Sequence, residues 1–104
     1  MKKALEEIQK FIKERDWEQF NTPENLVKSI NIEAGELLEC FQWSTQYDRA
    51  EVLDELADVL YYSLVLADKL DVDVQEIVLA KLEKSKKKYP VEKAKGKTTK
   101  YNKL

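Results

Sequence analysis

Asn31-Ile32-Glu33-Ala34-Gly35-Glu36-Leu37-Leu38-Glu39-Cys40-Phe41-Gln42-Trp43, read together with Glu55-Leu56-Ala57-Asp58, decides how this chain folds. At about 100° per residue, a helical wheel begun at Leu26 puts Ile30, Leu37 and Phe41 on one stripe, with Glu33 in its middle. An unpaired carboxylate on an apolar stripe is costly to bury, so it needs a partner. Glu36, one turn on, leans from the same face. Glu55 and Asp58 repeat the three-residue spacing, and packing the two segments side by side brings four carboxylates together. Such a set repels itself unless protons or cations sit among the charges. Oxygen-only ligands suit magnesium, which keeps positions free for water and phosphate.

Composition limits what surrounds that stretch. The 104 residues contain two glycines and two prolines, with 43% hydrophobic and 37% charged side chains, which describes helices joined by short connections. One domain, residues 1–104, is expected, with 91–104 as a basic tail. With no histidine, the Ser-His and Cys-His arrangements and the usual zinc sites are excluded. Cys40 is the single cysteine and reads as a small core residue. No segment has the run of apolar residues that a membrane span needs, and the N-terminus lacks a signal-peptide core, so a cytoplasmic protein is expected. The net charge of -2 is uneven, because ten of the lysines fall in residues 81–104 while the body is acidic. That polarity fits carboxylates holding cations while lysines approach a polyanion.

Apolar spacing predicts a first helix from Lys2 to Arg15, with Leu5, Ile8, Phe11 and Ile12 on one face. Thr22-Pro23 is a helix start, and the helix it opens is expected to reach Trp43. A third helix from Arg49 to Leu70 carries Val52, Leu53, Leu56, Val59, Leu60, Leu64 and Ala67 on a broad apolar arc, opposite a strip of Glu55, Asp58 and Tyr62. Asp73-x-x-Glu76 is a capping box opening a fourth helix that ends near Tyr89-Pro90. The tail has few apolar residues and is expected to order only if it docks on something.

The ordered set Glu33-x-x-Glu36, Glu55-x-x-Asp58, Phe41-Gln42-Trp43 and Lys81 through Pro90 resembles the all-α MazG-like nucleoside triphosphate pyrophosphohydrolases, with the small dCTP-pyrophosphatase branch most similar. The resemblance spans about residues 5 to 96. It implies a four-helix protomer assembling into a dimer or a dimer of dimers. It also implies Mg2+-dependent hydrolysis of a nucleoside triphosphate to a monophosphate and pyrophosphate, in nucleotide-pool house-cleaning. Glu33, Glu36, Glu55 and Asp58 would be the metal ligands, and Glu36 is our choice of general base.

Trp17, Phe20 and Trp43 are the aromatic platforms available to a base. Tyr62 matches a pocket position of the family, and Lys81, Lys84 and Lys88 form a face that can meet phosphates. Asn21 stands where the dCTP-specific relatives carry histidine, and Ser85 where asparagine is common, so the preferred base stays open. Neither a stable nucleic-acid complex nor a membrane is expected as partner. Two other readings remain at this point: a non-catalytic helical oligomerisation module and a nucleotide-binding regulator.

Overall fold

The computed structural model describes residues 1–104, and every regular element in it is helical. In chain order these are α1 (Lys2–Glu14), a 3-10 turn (Glu18–Phe20), α2 (Pro23–Glu39), α3 (Arg49–Lys69), α4 (Val74–Lys88), α5 (Val91–Ala94) and a closing 3-10 turn (Tyr101–Lys103). The chain divides into two compact units, Met1–Asp71 and Val72–Leu104.

In the first unit α3 packs chiefly against α2 and also meets α1. Helices α2 and α3 each start where a side-chain oxygen satisfies a free backbone N–H. The Asn25 N–H donates to Thr22 Oγ1 at 3.2 Å, with Pro23 at the first helical position, and the Ala50 N–H donates to Asp48 Oδ1 at 2.9 Å. The core is small: Ile12 of α1, Leu26 of α2 and Val65 of α3, flanked by Ile8, Tyr61, Tyr62 and Leu66. Leu26 is 1% exposed.

The end of α1 places an aromatic residue. Asp16 takes φ of 55°, a left-handed conformation that Asp tolerates better than most residues. The Trp17 N–H then reaches back to the Ile12 carbonyl at 3.1 Å, and the Asp16 N–H to that of Lys13 at 3.1 Å. This paired closure of a helix end is tied further by Gln19, whose Nε2 donates to the Asp16 carbonyl at 2.9 Å. Trp17 is thereby turned back onto Phe11, ring centroids 5.6 Å apart.

One expectation needs correction, and one is sharpened. Helix α2 stops at Glu39 rather than Trp43, because the Cys40, Phe41 and Gln42 N–H groups bond three residues back and tighten the chain out of the helix. Phe41 then packs on Tyr47 of the connection, with centroids 5.0 Å apart. On α3, Leu64 and Ala67 are buried, but Leu53, Leu56 and Leu60 of the apolar arc are exposed. The strip through Tyr62 that continues into Val65 and Leu66 is the one packed into the core.

In the second unit α4 opens on Asp73, whose Oδ1 accepts from the Gln75 N–H at 2.8 Å and the Glu76 N–H at 3.4 Å. The tail is ordered by docking on the end of α4. Tyr89 Oη accepts from the Tyr101 N–H at 3.3 Å, the two rings meet edge to face, and Lys88 Nζ lies 4.6 Å from the Tyr101 ring centre.

Leu26→Ala is expected to cost about 3 kcal/mol in urea unfolding, as for other well-packed leucines. Asp16→Val should destabilise the fold because a β-branched residue resists a left-handed conformation, whereas Asp16→Gly should be tolerated. Near-UV circular dichroism of Trp17 should change in the valine variant and persist in the glycine variant.

Candidate active site

Helices α2 and α3 lie side by side and bring their acidic pairs together. Glu33, Glu55 and Asp58 each present a carboxylate oxygen, and these atoms all lie within 4.8 Å of one another. Glu36 stands beside this trio, near enough for its carboxylate to raise both Glu33 and Glu55. Glu33 and Glu55 are partly buried, and Oε2 of each is shut off from solvent without any hydrogen-bond partner. No Lys or Arg offsets them, since the one salt bridge in the molecule joins Lys86 to Glu83.

The electrostatic consequence falls on protonation. The Glu33 carboxyl is pushed from an ordinary 4.5 up to about 7, first by burial, then by Glu36, Asp58 and Glu55. Glu55 moves up for the same reasons, burial first and then its neighbours Glu36, Asp58 and Asp54. The Tyr62 phenol is also raised, by burial and then by the charge of Glu33 and Asp58. Burial, with Glu51 and Glu55 behind it, raises the Cys40 thiol, which disfavours the nucleophilic thiolate.

Two buried carboxylate oxygens without donors, in an all-oxygen set, fit a hard divalent cation. Glu33, Glu36, Glu55 and Asp58 are the residues that would hold it. Beside them opens a cavity of about 620 Å³. Glu33 and Asp58 line it together with a row of rings from three parts of the first unit: Phe11, Trp17, Tyr61 and Tyr62. Phe11 meets Tyr61 edge-on at 6.4 Å between centroids, and Tyr61 meets Tyr62 at 4.9 Å. Glu7 and Ile8 of α1 complete the wall. A planar base against the rings and a polyphosphate toward the carboxylates would both find matching chemistry.

Of the residues singled out from sequence, the four acids, Trp17 and Tyr62 come together here. Asn21 lines a separate recess of about 320 Å³ with Gln9, Glu18 and Asp68. Phe20 is exposed, its carbonyl accepting from Asn25 Nδ2 at 2.9 Å. Trp43 is 89% exposed in the connection after α2. Lys81, Lys84 and Lys88 are exposed on α4, in the second unit. Sequence reasoning passed over Glu7, Phe11 and Tyr61. Phe11 fits the apolar face of α1 well enough to be read as core, and the signal was the Tyr61-Tyr62 doublet beside Asp58.

An all-helical chain with paired carboxylates from adjacent helices at the edge of an aromatic cavity defines a class of acidic-cluster helical proteins. The chain belongs to the MazG-like family, whose model matches residues 28–104, and to its dCTP-pyrophosphatase-like branch. It is 38% identical over 115 residues to dCTP pyrophosphatase 1 of Mus musculus, an alignment covering 97% of this chain and 68% of that protein. The corresponding human protein is 39% identical over the same shares. Among solved structures, a pyrophosphatase from Archaeoglobus fulgidus superposes with a TM-score of 0.81 at 40% identity, covering 86% of this chain and 92% of the other.

The raised Glu33 carboxyl ties stability to pH. Because the folded state binds a proton more tightly than the unfolded chain, metal-free protein should lose stability as pH rises from about 4.5 through about 7. Thermal unfolding should therefore give a lower Tm at neutral than at mildly acidic pH. A divalent cation held by these carboxylates should raise Tm more at neutral pH, and Glu33→Gln should flatten both trends.

Proposed function

We propose that the protein is a Mg2+-dependent nucleoside triphosphate pyrophosphohydrolase, cleaving between the α- and β-phosphates to release a nucleoside monophosphate and pyrophosphate. The observation that carries this reading is the pair of unpartnered buried oxygens on Glu33 and Glu55, converging with Asp58 beside the aromatic cavity. The relatives named as dCTP pyrophosphatases and the pyrophosphatase of like fold support the same reaction class. They also make a deoxynucleotide the first substrate to try; the role that follows from our reading is nucleotide-pool house-cleaning in the cytoplasm.

When bound, Mg2+ would neutralise triphosphate oxygens and make a water acidic enough to attack at neutral pH. Glu36, between Glu33 and Glu55, takes the proton from the attacking water. Trp17 and Tyr62 hold the base end, and their rings keep bulk water from that side of the cavity. Lys81, Lys84 and Lys88 present three cations along α4, a charge that suits a polyanion.

The functional particle is a homodimer or homotetramer. Ile32 and Leu38 on α2 are 62% and 71% exposed, and Leu53, Leu56 and Leu60 on α3 are also open. Apolar exposure on this scale is the usual mark of an interface. Phe20 and Trp43, both exposed, are then residues offered across it toward a neighbouring copy.

Separate Glu33→Gln, Glu55→Gln and Asp58→Asn variants should each lower kcat/KM by at least about 100-fold, in line with the loss of a charge-stabilising group at a reacting centre. The readout is pyrophosphate release from a panel of dNTPs with Mg2+. Unchanged rates, or no release by the parent protein, would favour the non-catalytic module. Diphosphate and orthophosphate as products would contradict the cleavage position. Light scattering should find a dimer or tetramer that Leu38→Asp or Leu60→Asp dissociates, and a monomeric parent would exclude the assembly.

A further inference from the structure

The cavity beside the acidic cluster is lined by one carboxylate that the cluster does not include, Glu7 of α1. Its carboxylate makes no salt bridge, and no lysine, arginine or side-chain amide lines the same cavity. Glu7 lies one helical turn before Phe11, whose ring begins the row that runs through Tyr61 to Tyr62. Arg15, its guanidinium 4.0 Å from the Phe11 ring centre, and Lys10 share an adjoining recess with Glu7 but do not line this cavity. A base placed with its phosphates toward Glu33 and Asp58 therefore turns an edge to a wall whose charged group is an acceptor.

We propose that Glu7 selects the base by accepting a hydrogen bond from an exocyclic amino group, so that amino-bearing bases are favoured over their keto counterparts. This rests on the hydrolase reading above and deepens it. A carboxylate accepts from N–H and has nothing to donate, whereas a keto oxygen in the same place sets lone pairs against lone pairs. Charge-assisted hydrogen bonds are the stronger kind, and a site built around one rejects the analogue that cannot form it. Glu7, Phe11 and Trp17 all precede the residues that the family model matches, while Glu33, Glu55 and Asp58 fall within them.

The test uses two substrate pairs that differ at the exocyclic group, dCTP with dUTP and dATP with dITP, each with Mg2+. For the full chain, kcat/KM should favour the amino member of both pairs. Glu7→Ala should lower that preference by about tenfold or more, the range expected for one hydrogen bond to a charged group. Glu7→Lys, which replaces an acceptor by donors, should reverse it. Glu6→Gln, a neighbouring exposed acid outside the cavity wall, should leave the preference intact. A merely structural role for Glu7 would move all four substrates together. Equal ratios in the parent and Glu7→Ala, with turnover retained, would overturn the inference and leave the hydrolase reading standing. Should the parent release no pyrophosphate, that reading falls alone. The amino-to-keto ratio of dissociation constants, measured by calorimetry on the same variants, then decides the role of Glu7 in the same way.

Discussion

Carboxylates from α2 and α3 repel one another in a place where water reaches them poorly, and that repulsion governs the first unit. Glu33 and Glu55 each keep one oxygen away from solvent and from every donor. A chain selected only for stability would avoid this, because a desolvated acid without a partner is costly. The fold tolerates it by protonation, which is why the Glu33 carboxyl rises to about 7. A divalent cation bound by the same oxygens relieves the repulsion without a proton.

The rest of the unit supports that pairing. Thr22 and Asp48 fix the starts of α2 and α3. Leu26 and Val65 join their interiors to Ile12 of α1. Asp16 reverses the chain after α1 so that Trp17 folds back on Phe11. With Tyr61 and Tyr62, these rings give the acids an apolar neighbour large enough for a nucleobase, and Tyr62 belongs to both parts, touching the core and sensing the charge of Glu33. One small core thus supports a site that spans three helices.

Much of this was legible in the residues themselves. Glu33 stood out because helical periodicity set it on an apolar stripe, and the structure finds it partly buried beside Glu55 and Asp58. The starts at Thr22-Pro23 and Asp73 were equally readable, since capping is local chemistry. What periodicity could not supply was direction. The leucine arc of α3 was legible as apolar, but a wheel counts apolar residues without knowing which face has a neighbour, and within the chain Leu53, Leu56 and Leu60 have little cover. Phe11 had the spacing of a core residue and lines a cavity instead. The end of α2 was misjudged for a related reason: Phe41 and Trp43 continue the apolar pattern, but Phe41 finds Tyr47 by leaving the helix.

The most direct measurement is calorimetric titration of Mn2+, a spectroscopically convenient stand-in for Mg2+, into the protein at neutral pH in two buffers of different ionisation enthalpy. If the acids of α2 and α3 form the metal site, binding will release protons, because a cation displaces the proton held by Glu33, and both binding and release will be lost in Glu33→Gln and Glu55→Gln. Metal binding that survives both substitutions, or no binding in the presence or absence of a nucleoside triphosphate, would contradict the account.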